Sequence, residues 1–190
     1  MGEERKLELK DICGYLPYGL KALCTNEKSQ DYGKPMLQSE SCLSYLVRKT
    51  NIGEKCIILR PLSDIYRVIL HNGERICPIV ELARIHSRNY PHPDNPAPVV
   101  WRYDPCSREG DRCASGDCDG VENFMFTTTG GDDSDGYGFY VQMEEDGTFR
   151  TVNNQRLLWD YLDELKIDYR NLIENGLAVS VYDVKGMVYG

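Results

Sequence analysis

Twelve carboxylates fall between positions 104 and 146, against two basic side chains, Arg108 and Arg112. That stretch carries a net charge of −10 in a chain whose total is −8, so the other residues sum to +2. Like charges at this density repel one another and resist burial. Charge segregated this sharply usually marks an appended functional loop or an extra lobe. Three of the eight cysteines, Cys106, Cys113 and Cys118, lie in the same stretch.

The rest of the chain has what a core needs. Hydrophobic content is 41% and charged content 27%, and 190 residues suit one domain with a large insertion. Leu9, Ile12, Cys13 and Leu16 share one helical face, and Pro17 stops that helix. Leu20–Cys24 reads as a strand. Ser39 can cap a helix over Glu40–Lys49, which Asn51-Ile52-Gly53 ends. Cys56–Leu59 reads as a strand, Ser63 or Asp64 as the cap of a helical turn reaching Leu70, and Asn72-Gly73 as a turn into a strand over Arg75–Pro78. Val80–Ile85 suits one or two helical turns. His86–Pro98 holds four prolines and reads as a linker.

Val99–Tyr103, Val121–Thr128 and Tyr137–Met143 alternate as strands do, and Asp146-Gly147 folds the last of them back onto Thr148–Val152. Asn153 or Asn154 caps a helix through Leu165, with Leu157, Leu158, Tyr161, Leu162 and Leu165 on one face. Asp168 caps a short helix that Asn175-Gly176 ends, and Leu177–Val181 closes the chain as a strand. The expectation is an α+β protein, a single domain over 1–190. Residues 7–85 and 150–181 share a small helix–strand core, and 86–148 form a β-rich acidic insertion.

The ends carry a resemblance. Leu9-Lys10-Asp11-Ile12-Cys13-Gly14-Tyr15-Leu16-Pro17-Tyr18-Gly19-Leu20-Lys21 resembles the opening of a group of uncharacterised proteins encoded by phages and prophages of gut Bacteroidetes. Ile58-Leu59-Arg60-Pro61-Leu62-Ser63-Asp64 is similar to a second segment of that group, and Asp168-Tyr169-Arg170-Asn171-Leu172-Ile173-Glu174-Asn175-Gly176-Leu177-Ala178 to its ending. The acidic middle departs from the group. The resemblance implies a phage or prophage origin, residence in the host cytoplasm and an accessory role such as counter-defence. It carries no activity.

Charge and cysteine usage narrow the partners. Phosphate neutralisation needs clustered Lys and Arg, and no such run exists, so nucleic acid is not expected. No segment reads as a signal peptide or a membrane span, which points to a cytosolic protein with reduced thiols. Cys13, Cys24, Cys42, Cys56 and Cys77 sit among apolar neighbours and read as small buried hydrophobes.

Within the acidic stretch, Cys106, Cys113 and Cys118 with His92 are the zinc candidates, His86 or Cys77 being alternative fourth ligands. Their spacings fall just outside a tight Cys-x2–4-Cys knuckle. Asp117-Cys118-Asp119-Gly120 and Asp133-Ser134-Asp135-Gly136 each hold the core of a calcium loop but lack its closing Glu. No nucleophile–base signature or phosphate-binding loop appears. Aromatic residues flank the carboxylates: Trp101, Tyr103, Tyr137, Phe139 and Tyr140. Rings anchor interfaces and charge steers association, so the expected function is binding a protein with a basic surface, without a cofactor. Trp101, Asp132, Asp133, Asp135 and Tyr137 are the candidate contact residues. The rivals are a small hydrolase or metal-dependent enzyme using the middle segment, and a structural zinc or calcium module.

Overall fold

The computed structural model describes residues 5–39, 42–89, 100–105, 113–117, 122–127, 138–143, 149–152, 155–185 and 187. In chain order the elements are α1 (Leu9–Ile12), a 3-10 turn (Cys13–Tyr18), β1 (Lys21–Cys24), β2 (Pro35–Leu37), α2 (Leu43–Asn51), β3 (Lys55–Leu59) and a second 3-10 turn (Leu62–Tyr66). There follow β4 (Ile69–His71), β5 (Glu74–Ile76), α3 (Pro78–Asn89), β6 (Val100–Asp104), β7 (Cys113–Asp117), β8 (Glu122–Thr127), β9 (Gly138–Met143) and β10 (Phe149–Thr151). The last are α4 (Gln155–Leu165), β11 (Ala178–Ser180) and a 3-10 turn (Val181–Asp183). The protein is α+β. None of the described helices is long and apolar enough to cross a membrane.

The chain divides into two compact units, 1–62 with 162–190, and 63–161. The sequence reading puts the seam near 86 and 148. In the structure, residues 63–85 and 150–161 group with the middle of the chain. The charge follows this division. The second unit holds 17 acidic and nine basic side chains, a net −8, and the first holds 13 of each.

The first unit is a four-stranded sheet in the order β11-β3-β1-β2. β1 pairs antiparallel with both β2 and β3, and β11 runs parallel to β3, so the two ends of the chain meet in one sheet. Leu16, Leu59, Leu162 and Leu172 are all buried in this unit. The end of α2 and the turn before β11 follow the sequence signals. Gly53 and Gly176 take positive φ, and the following residues bond back to the Lys49 and Leu172 carbonyls, which satisfies carbonyls that a helix end leaves orphaned. α4 ends in the same way with Lys166 at φ 57, a conformation that costs a side chain more than it costs glycine. Asp168 accepts the N–H groups of Leu172 at 2.9 Å and Ile173 at 2.7 Å, so it caps as expected, although turns rather than a helix follow.

Near the chain's ends lies a buried polar network that periodicity does not reveal. The Tyr169 hydroxyl donates to Asp163 Oδ1 at 2.8 Å and receives the Arg170 guanidinium at 3.0 Å, which also lies 4.8 Å from the Tyr169 ring centre. Tyr15 packs its ring 6.0 Å from that of Tyr169 and donates to the Ile167 carbonyl at 2.9 Å. Burial, with nearby carboxylates, raises both phenols above their ordinary value of 10.0. Above pH 10 the native state therefore keeps protons that the unfolded chain releases. Stability from these groups is complete below pH 10 and falls as pH rises, by about 1.4 kcal/mol per pH unit for each tyrosine. Chemical unfolding measured from pH 9 to 11 should show this slope, and Tyr15→Phe should make it shallower. An identical slope in Tyr15→Phe would show that its hydroxyl already ionises freely in the folded state.

The second unit is a five-stranded antiparallel sheet, β10-β9-β8-β7-β6, with the β4–β5 hairpin beside it in sequence. That hairpin turns at Asn72-Gly73, both with positive φ. It corrects the expected helical turn through Leu70: the 3-10 turn ends at Tyr66, and Ile69–His71 is a strand. α3 likewise runs to Asn89, into the stretch read as linker. The expected hairpin between 137 and 152 is present as β9–β10.

Candidate functional site

Strand alternation sorts the five-stranded sheet into two unlike faces. Registered pairs place Ala114, Phe124 and Val141 in one row and Phe126 and Phe139 in the next. All five are buried, as is Trp101 at 2% exposure. Phe124 and Phe139 stack with centres 5.9 Å apart, and Trp159 meets Phe139 edge-on at 5.0 Å. Trp101 meets Phe124 at 6.3 Å, and its indole N–H donates to the Ser87 hydroxyl on α3. His86, also on α3, lies 5.7 Å from the Phe124 ring. This face is the core of the unit.

That placement corrects the expectation for Trp101. A ring enclosed by Phe124 and α3 cannot anchor a partner. The sequence shows an aromatic beside acids, and interface anchors and core rings share that signature.

The opposite face is polar and half-exposed. Arg102, Ser115, Asn123 and Gln142 align in register across β6, β7, β8 and β9. The adjacent row is Asp104, Cys113, Met125 and Tyr140. Only Cys113 among these eight is fully buried, while Arg102 is exposed and the rest are intermediate. The rows are joined by hydrogen bonds. Ser115 Oγ lies 3.2 Å from Asp104 Oδ2 and 2.9 Å from the Asn123 amide, and Cys113 Sγ lies 3.7 Å from that amide. One hydroxyl proton cannot serve two acceptors. Ser115 therefore donates either to Asp104 Oδ2 or to Asn123 Oδ1, and the Cys113 thiol donates to the same Asn123 oxygen.

This set of groups suits recognition. A serine held by a carboxylate is a weak nucleophile, since hydrolytic triads place an imidazole between the two. A guanidinium, two amides, a hydroxyl, a carboxylate and a phenol in two straight rows instead offer donors and acceptors to a second surface. No protein-family model, curated protein or solved structure matches this chain.

The other candidates fall as follows. Cys113 is the one zinc candidate of the acidic stretch that the structure describes. It sits in β7. Cys106, Cys118, His92, Asp132, Asp133, Asp135 and Tyr137 lie outside the described residues, as do Cys118–Gly120 and 133–136 of the two calcium-like loops. Among the described residues no group of three His, Cys, Asp or Glu side chains could hold a metal ion. Burial pushes the Cys77 thiol up and raises that of Cys56 to about 11, which keeps both protonated and unreactive.

Among the described residues, Cys13, Cys24, Cys42, Cys56, Cys77 and Cys113 are free thiols. The thermal midpoint should therefore be the same with and without a strong reductant. A fall of several degrees on reduction would show that a disulfide stabilises the fold.

Proposed function

We propose that the chain is a non-enzymatic binding protein whose acidic unit receives a basic surface of a protein partner on the polar outer face of its five-stranded sheet. One observation carries this reading. Eight side chains stand in two registered rows, one of them exposed and six partly exposed, on a unit of net charge −8. Polar rows give directional contacts, and a surplus of negative charge draws in a partner of opposite sign. Trp101 belongs to the core in this reading, and Tyr140 takes over as the aromatic contact. Asp132, Asp133 and Asp135 contribute to that negative charge. The three segments that resemble phage and prophage proteins support an accessory role in the cytoplasm of a bacterial host.

The test is capture of a partner from host lysate on the immobilised protein, followed by surface variants. Tyr140→Ala and Gln142→Ala should weaken that partner several-fold without lowering the unfolding midpoint. Undiminished binding by both variants would remove this face from the interface.

A further inference from the structure

The first unit carries a surface of opposite sign, and we infer that it docks an acidic peptide segment of a partner protein. α2 places Tyr45, Arg48 and Lys49 at i, i+3 and i+4, and its C-cap Ile52 follows at i+7 on the same face. Lys55 joins them from the start of β3. The Tyr45 ring centre lies 5.8 Å from the Arg48 guanidinium, 5.6 Å from Lys49 Nζ and 5.3 Å from Lys55 Nζ. Tyr45 is 45% exposed and Ile52 58%. Lys49 pairs with Glu54. Among the described residues Arg48 and Lys55 have no carboxylate partner; Lys55 only reaches the Gln38 amide oxygen at 3.4 Å. The patch thus gathers three cations around one phenol ring with a single carboxylate.

Cations held this close repel one another, and an exposed ring offsets only part of that through its π face. A ligand bearing carboxylates relieves the rest. Arg48 can grip one carboxylate with two parallel N–H bonds, and Lys55 offers a point charge beside it. Tyr45 and Ile52 supply apolar area between them. Single-stranded nucleic acid fits less well. Base stacking needs a free aromatic face, and here the cations lie against the ring. A chain of net charge −8 also repels a polyphosphate at long range. An acidic peptide with interspersed apolar residues meets the patch with few charges. This surface stands on the first unit and does not depend on the reading of the acidic one.

The experiment uses the full chain and a short fluorescein-labelled peptide alternating Glu and Leu, followed by fluorescence anisotropy. The peptide should bind, more weakly as salt rises. Arg48→Glu with Lys55→Glu should reduce its affinity roughly tenfold, as expected for loss of two exposed charge pairs. Lys34→Glu, an exposed position elsewhere in the unit, should change little. Arg48→Gln with Lys55→Gln gives the same comparison should the double reversal fail to fold. An oligothymidylate should not displace the peptide. Absence of peptide binding, equal binding by wild type and both double variants, or displacement by oligothymidylate would each overturn the proposal.

Discussion

Gly14→Ala should destabilise the protein by about 3 kcal/mol, although the substitution adds one methyl group at a half-buried position. A Cβ at Gly14 would lie 2.1 Å from Asp163 Oδ2 and 2.6 Å from its Cγ. Asp163 cannot retreat cheaply. It is buried, and its other oxygen takes the Tyr169 hydroxyl, which in turn holds Arg170. Moving the carboxylate breaks that chain of bonds and leaves polar groups buried without partners. Gly14 does not have positive φ, so the cost is steric rather than conformational. Urea unfolding measures it, and a double-mutant cycle identifies the cause. In an Asp163→Ala background, Gly14→Ala should cost far less. An equal cost in both backgrounds would place the clash elsewhere.

The second large effect separates core from interface. Trp101→Ala should cost about 3–5 kcal/mol, because it empties a site bounded by Phe124 and α3 and abandons the Ser87 hydroxyl. An interface anchor would behave differently, losing affinity while the unfolding midpoint stayed in place. Tyr140→Ala is the matched control on the other face of the sheet, where the ring is only half-buried. It should cost less than about 1 kcal/mol. A small loss for Trp101→Ala would return that ring to the surface.

How much of this was readable without coordinates depends on the kind of signal. α4 was legible because Leu158, Leu162 and Leu165 repeat with helical period, and the β9–β10 hairpin because Asp146-Gly147 divides two alternating runs. β11 was visible as a short apolar run after a glycine stop, but its parallel pairing with β3 was not, since pairing is a long-range choice. β7 was missed altogether. Its sequence, Cys-Ala-Ser-Gly-Asp, is small and polar with no strand propensity, and its neighbours β6 and β8 impose the conformation. The polar face was missed with it, because Ser115 aligns with Arg102, Asn123 and Gln142 only once β7 is a strand. α3 was cut short at Ile85 by the prolines that begin at Pro91, although Ser87 and Arg88 continue the helix without a break. The Tyr15–Tyr169–Asp163 network had a weak trace, a run of polar residues in an otherwise apolar end, and nothing in spacing links position 15 to position 169.

The central claim is that the acidic unit steers a basic partner, and the association rate constant measured across ionic strength tests it most directly. Screening shortens the reach of exposed charge to about 8 Å at physiological salt. With the partner captured from lysate, the wild-type rate should fall steeply as salt rises. The Asp132→Asn, Asp133→Asn and Asp135→Asn triple variant should start slower and vary less, with its dissociation rate unchanged. A wild-type rate that is flat across salt, and equal to that of the triple variant, would contradict the account.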